Sequence, residues 1–195
     1  MLHTFVAYVE DIPGVLTRVA SLFRRLNINI NSLTVGRSER VGLSRLTLVC
    51  EASAEAGHRI RASLYKLENV VHVDDIAQAP SVTRELALIK VAATPQTRSN
   101  IFELVEVFRA RIVDLAPESL MIEMTGVESK IEGLIQVLNE GEERVLEICR
   151  SGKMTMRRGH HTSRVLRAMG AGVDDKSTPA SQDVESEEGA PVEPE

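Results

Sequence analysis

The 195 residues predict an α+β protein built from two ferredoxin-like βαββαβ sandwiches in tandem. Three observations carry that prediction. Apolar segments alternate between strand-like runs and 3.6-period faces in the order strand, helix, strand, strand, helix, strand. The same order starts again after Pro80-Ser81. From Val173 onward the chain holds eight acids and one Lys and has little left to bury. The expected organisation is therefore a first domain over 1–79, a second over 80–172 with a basic extension, and a disordered acidic tail over 173–195.

In the first domain, residues 2–9 (Leu-His-Thr-Phe-Val-Ala-Tyr-Val) read as a strand. The period then changes, and Val15, Leu16, Val19, Leu22, Phe23 and Leu26 fall on one helical face. Residues 27–31 lead into a second strand over 32–36. The polar 37–42 loop turns the chain back into a third over 43–50. Ile60, Leu64 and Leu67 mark a second helix, and 70–76 a fourth strand. The second domain repeats the plan. Residues 85–92 are strand-like; Ile101, Leu104, Val105 and Phe108 match the i, i+3, i+4, i+7 helix template. A hairpin, 112–115 and 120–124, flanks Pro117; Ile131, Leu134, Ile135 and Leu138 form another helical face, and 145–149 closes the set. Two helices on one face of each sheet leave the other face and the edges uncovered, which favours pairing between copies and a ligand pocket at the join.

The junction between the first strand and helix, Glu10-Asp11-Ile12-Pro13-Gly14-Val15-Leu16, is chemically the most pointed segment. Pro13 in the first turn with Gly14 beside it makes a helix N-terminus whose N–H groups a carboxylate or phosphate can approach. An ordinary strand-to-helix connection is the other reading of the same residues.

Elsewhere the chain looks catalytically silent. Only 3% of it is aromatic and it has no Trp, so platforms for stacking bases are scarce. No GxSxG, HExxH, CxxC or Walker pattern occurs. His3, His58, His72, His160 and His161 lack metal-ligand spacing, so no metal site is expected. Asp74-Asp75 reads as a solvated strand edge, its side chains pointing to opposite faces. Cys50 and Cys149 end strand-like runs and read as buried free thiols of a reducing, cytoplasmic setting. No apolar run approaches a membrane span, and Met1-Leu2-His3-Thr4 lacks the basic start of a signal peptide. The formal charge of −5 divides into −7 from residue 173 onward and +2 before it. Arg150, Lys153, Arg157, Arg158, Arg164 and Arg167 form a basic run without one acid, suited to solvation or an acidic protein face rather than to nucleic acid.

The Asp11-x-Pro-Gly-Val-Leu turn, followed by Asn29-Ile30-Asn31-Ser32-Leu33-Thr34-Val35 and Leu43-Ser44-Arg45-Leu46-Thr47, strongly resembles the small, regulatory subunit of acetolactate synthase (acetohydroxyacid synthase). The likeness continues through 84–91, 108–114 and Arg150-Ser151-Gly152, so it spans about residues 2–170. The resemblance implies an N-terminal ACT domain, a C-terminal ferredoxin-like domain, and homodimers formed by joining ACT sheets side by side. It implies a branched-chain amino acid, usually valine, bound between the turn of one subunit (Asp11, Ile12, Pro13, Gly14, Val15, Leu16) and the strand start of the other (Asn29, Ile30, Asn31, Ser32). The catalytic large subunit would be the partner and would carry thiamine diphosphate, Mg and FAD, with no cofactor on this chain. Position 11 is Asp where several relatives carry Asn, and position 31 is Asn where Glu is common.

The residues themselves fit such a ligand. N–H groups at 14–16 suit its carboxylate, and Asp11 or carbonyls around Asn29 and Ile30 suit its ammonium. Leu16, Ile30 and Leu33 are candidates for an apolar slot, or equally for the core. A side chain at Gly14 would occupy the space the carboxylate needs. The resulting expectation is a non-catalytic subunit that activates the large subunit and confers feedback inhibition in branched-chain amino acid synthesis. A free-standing ACT-type sensor of another partner is the alternative, and a nucleic-acid-binding regulator using 150–167 is the third.

Overall fold

The computed structural model describes residues 1–141 and 144–159. The first domain runs β1 (Leu2–Glu10), α1 (Val15–Leu26), β2 (Ile30–Arg37), β3 (Leu43–Glu51), α2 (Ala54–Tyr65) and β4 (Val70–Asp75). Its sheet has the order β2-β3-β1-β4, antiparallel throughout. Alternation sends Phe5, Ala7 and Val9 of β1 and Leu46, Leu48 and Cys50 of β3 toward the helices. There they meet Val15, Val19, Leu22 and Phe23 of α1 and Ile60 and Leu64 of α2 in one buried cluster. Leu67 lies past the end of α2 yet still packs against that core.

The second domain runs β5 (Ser81–Ala92), α3 (Arg98–Val107), β6 (Arg111–Leu115), β7 (Ser119–Gly126), α4 (Glu128–Glu140), β8 (Val145–Arg150) and β9 (Met154–Arg157). The order β6-β7-β5-β8 repeats the first sheet's plan, and β9 adds to the early part of β5. Ala87, Ile89 and Val91 join Leu120, Ile122, Met124, Ile131 and Leu134 in the second core.

Several expectations change. β5 begins at Ser81 rather than at 85, because Ser81 to Arg84 pair with β9, a strand the apolar pattern does not announce. The helix-free face of the first sheet is not left uncovered, because residues 151–157 reach it. Arg45 donates from Nη2 to the Thr155 carbonyl at 2.5 Å, and Arg157 lies 3.9 Å from Asp74. Val6 and Tyr8 point to this face and are buried in a small cluster with Ile76. Asp74 and Asp75 are not a solvated edge: each takes a histidine. Asp75 meets His3 Nδ1 at 2.7 Å, and Asp74 meets His72 Nε2 at 3.1 Å. Cys149 is exposed, since β8 is an edge strand and alternation turns this residue away from the helices; Cys50 is buried, and neither is in a disulfide. His160, His161, Arg164, Arg167 and the acidic tail lie outside the described residues.

Candidate functional site

The turn after β1 opens a helix and leaves its end bare. Asp11 N–H donates to the Gly42 carbonyl at 2.8 Å, and the Ser44 hydroxyl donates to Asp11 Oδ1 at 3.2 Å. Both bonds tie the turn to the start of β3. Gly14 is the N-cap of α1, with φ 89° in the left-handed region, and Arg18 N–H donates to its carbonyl at 3.1 Å. Pro13 therefore precedes the cap instead of occupying the first turn. No side chain caps α1 and no acid sits in its first turn. Its first N–H groups are the unsatisfied donors that make a helix start attractive to an anion. A Cβ on Gly14 would meet nothing within 4 Å, so glycine is required here by backbone conformation, while the surroundings stay open in the single chain.

Leu16 departs from the expected buried face. It is 43% exposed, beside Ile12 at 49%. On β2, Leu33 and Val35 are 38% and 42% exposed, whereas Ile30 packs partly buried against the first core. Apolar surface is thus shown by both the turn and the edge strand.

The two halves of the expected site do not meet within one chain. Ile30 at the start of β2 lies opposite Cys50, and Cys50 lies opposite His3 at the start of β1. The turn follows Glu10, seven residues farther along β1, or about 23 Å at the usual strand rise. Asp11 to Leu16 therefore stand at one end of the sheet and Asn29 to Ser32 at the other. Within one chain the strand start therefore does not reach the turn.

The β2 start serves a junction that its own pattern does not reveal. Ser32 Oγ accepts from Lys153 N–H at 2.8 Å, and Thr34 Oγ1 donates to the Lys153 carbonyl at 3.2 Å. Gly152 between them has φ 80°, and a Cβ there would stand 2.9 Å from Thr34 Oγ1 and 3.0 Å from Ser32 Oγ. Asn31 and Ser32 also line an interdomain cleft of about 420 Å³ with Glu85, Arg150 and Lys153. The only sequence hint was the Gly inside Arg150-Ser151-Gly152; its partners are more than a hundred residues away.

Arg150, Lys153 and Arg157 of the basic run face acids of this chain, and Arg158 donates to the Ser81 carbonyl. Arg150 bridges Glu85 at 3.5 Å and Glu132 at 2.6 Å, and Lys153 meets Glu128 at 2.7 Å. Among the described residues no three His, Cys, Asp or Glu are grouped to hold a metal ion, and no helix is long and apolar enough to cross a membrane. Burial, and secondarily the charge of Asp75, pushes the Cys50 thiol up to about 11.

Comparison with known proteins gives concordant results. A family profile described as an AHAS small subunit-like ACT domain matches residues 5–72, and one described as the small subunit of acetolactate synthase matches 84–159. A probable acetolactate synthase small subunit of Archaeoglobus fulgidus is 45% identical over 160 residues, covering 82% of this chain and 99% of that protein. The acetolactate synthase small subunit of Mycobacterium leprae is 46% identical over 157 residues, 80% of this chain and 92% of its own. The crystal structure of the Thermotoga maritima acetolactate synthase small subunit superposes with a TM-score of 0.75 at 40% identity, covering 82% of this chain and 98% of that one.

Proposed function

This chain belongs to the family of acetolactate synthase small subunits, and we propose that it acts as a regulatory subunit that binds a branched-chain amino acid between two copies of its first domain. One observation carries the placement of that ligand: the uncapped α1 start at Gly14 and the β2 start at Asn29 to Ser32 lie at opposite ends of one sheet. β2 is an edge strand with exposed Leu33 and Val35. Pairing two β2 edges about a two-fold axis sets each strand start beside the other copy's turn and covers Leu33, Val35, Ile12 and Leu16 together.

In that arrangement the α-carboxylate accepts from the first N–H groups of α1. Asp11, one oxygen of which is held by Ser44, offers the other to the ammonium. The apolar side chain lies among Leu16, Leu33 and Ile30. Residues 1–79 would then bind effector and dimerise, while 80–172 would stand behind them. The chain itself performs no chemistry. Its partner, the large subunit, carries thiamine diphosphate, Mg and FAD and joins two 2-keto acids, in the cytoplasm, where two unpaired cysteines are at home.

The effector must bind the inhibited arrangement better than the active one, and coupling of this type typically amounts to about 1–3 kcal/mol. Reconstitution tests the reading: purified large subunit, with and without this chain, at increasing valine. Activation that valine reverses is the expected result. Activation indifferent to valine, leucine and isoleucine would remove the effector site. Absence of activation would favour a sensor of a different partner.

A further inference from the structure

The two helical layers carry opposite charge. α1 and α2 present Arg18, Arg24, Arg25, Arg59 and Arg61 against one acid, Glu55. In the second domain, α3 and α4 present Arg98 and Lys130 against Glu103, Glu106, Glu128, Glu132 and Glu140. Among the described residues, only Arg18 of these five helix arginines is ion-paired, with Glu68 at 3.4 Å. A groove of about 490 Å³ lies beside α1, lined by Gly14, Thr17, Arg18, Ser21, Arg24 and Arg25 together with Leu67 after α2.

We propose that this cationic layer is the docking site of the chain's own acidic C-terminal segment, residues 174–195. Charge complementarity and reach single that segment out. It carries Asp174, Asp175, Asp183, Glu185, Glu187, Glu188, Glu193 and Glu195 against Lys176 alone. Fourteen residues, 160–173, join Gly159, where the described chain ends, to Asp174. Fully extended they span roughly 50 Å, enough to pass around a domain of this size. Tethering raises the local concentration of the segment to roughly millimolar. The acidic α3–α4 layer repels the segment and so directs it to α1–α2. Arg150, Lys153 and Arg157 already face Glu85, Glu128, Glu132 and Asp74, whereas Arg24, Arg25, Arg59 and Arg61 have no ion-pair partner among the described residues. A second copy's α3–α4 layer is a weaker occupant: its acids are interspersed with Arg98 and Lys130, and such head-to-tail contact does not close on itself. Exposed ion pairs are individually weak and screened by salt, so the contact is collective and salt-sensitive.

The test uses the full chain, 15N-labelled, with a spin label on Ser186→Cys in a Cys149→Ser background. The expected result at low ionic strength is selective broadening of the amides of Thr17, Ser21, Arg24 and Arg25. Broadening should be lost at about 1 M salt, where the Debye length is about 3 Å. It should also be lost in Arg24→Glu/Arg25→Glu and in Glu187→Lys/Glu188→Lys, two changes on opposite sides of the contact. No broadening on α1, or broadening that survives both charge reversals, would overturn the proposal. Mixing spin-labelled chain without 15N and 15N chain without spin label separates the remaining case: broadening that passes between molecules assigns the groove to another copy and also overturns it.

Discussion

The two domains share a topology yet build the turn at the same junction differently. Each sends its first strand through a proline-containing turn into a helix. After β5 the turn is Thr94-Pro95-Gln96-Thr97, and it closes on itself. Thr94 N–H donates to Thr97 Oγ1 at 3.0 Å, and Thr97 N–H donates to Thr94 Oγ1 at 3.3 Å. Those two bonds lock the turn just ahead of α3, whose N-cap is Thr97. After β1, by contrast, Asp11 turns to Ser44, Gly14 takes the cap with no side chain to offer, and the helix start stays open. Neither helix has a side-chain cap, so what separates the two junctions is the turn before the helix: one is locked by its own threonines, the other is tied to β3 and ends in a left-handed glycine.

The sheet surfaces differ in the same sense. The first sheet's helix-free face is met by residues 151–157, while its β2 edge keeps Leu33 and Val35 exposed. The second sheet's edges, β6 and β8, likewise expose Val113, Leu115, Leu146 and Ile148. Exposure alone does not separate the edges; what β2 has in addition is the open turn at its far end.

The sharpest way to break this contrast is Gly14→Ala. A left-handed non-glycine residue costs about 1–2 kcal/mol, and in the single chain nothing crowds the added methyl. The domain should stay folded. In the reconstituted enzyme the expected outcome is complete loss of feedback inhibition with activation retained; unchanged inhibition would disprove the pocket. Next, Val35→Glu should place like charges across the paired β2 edges and convert a dimer to a monomer in sedimentation. Val113→Glu on β6 should leave the mass unaltered.

Gly152→Ala combines left-handed strain with two contacts at or below 3.0 Å. A loss of about 3 kcal/mol is expected from strain plus the Ser32 and Thr34 hydrogen bonds, read by chemical denaturation. Cys50 supplies a pH test. Its thiol is raised to about 11 from 9.0. The folded state thus holds the proton more tightly, and its stabilising contribution is full below pH 9 and lost as pH rises toward 11. The difference between the native chain and Cys50→Ala should change by about 2–3 kcal/mol across that window, whereas Cys149→Ala should show no such dependence. The smallest effect belongs to the closed turn: Thr97→Ala removes the bond from Thr94 N–H and should cost about 1 kcal/mol without altering inhibition, and a change in inhibition would mean the second helix start also takes part in regulation.

Period and punctuation were enough to read twelve of the thirteen elements, because a sandwich with one buried sheet face writes its core into local sequence. β9 escaped since it is only four residues long and buries Thr155, while its apolar residues, Met154 and Met156, face outward. Leu16 was legible as apolar and helical, but its exposure was not, because a leucine at helical spacing reads the same whether it faces core or solvent. Motif and spacing in the sequence by themselves determined the double fold, the open turn at Gly14 and the family. Only the tertiary structure decided that the turn and the strand start stand at opposite ends of one sheet, that Ser32 and Thr34 grip residues 151–153, and that each of Asp74 and Asp75 holds a histidine. Those facts depend on strand order and register between residues far apart in the chain, and no local pattern encodes them.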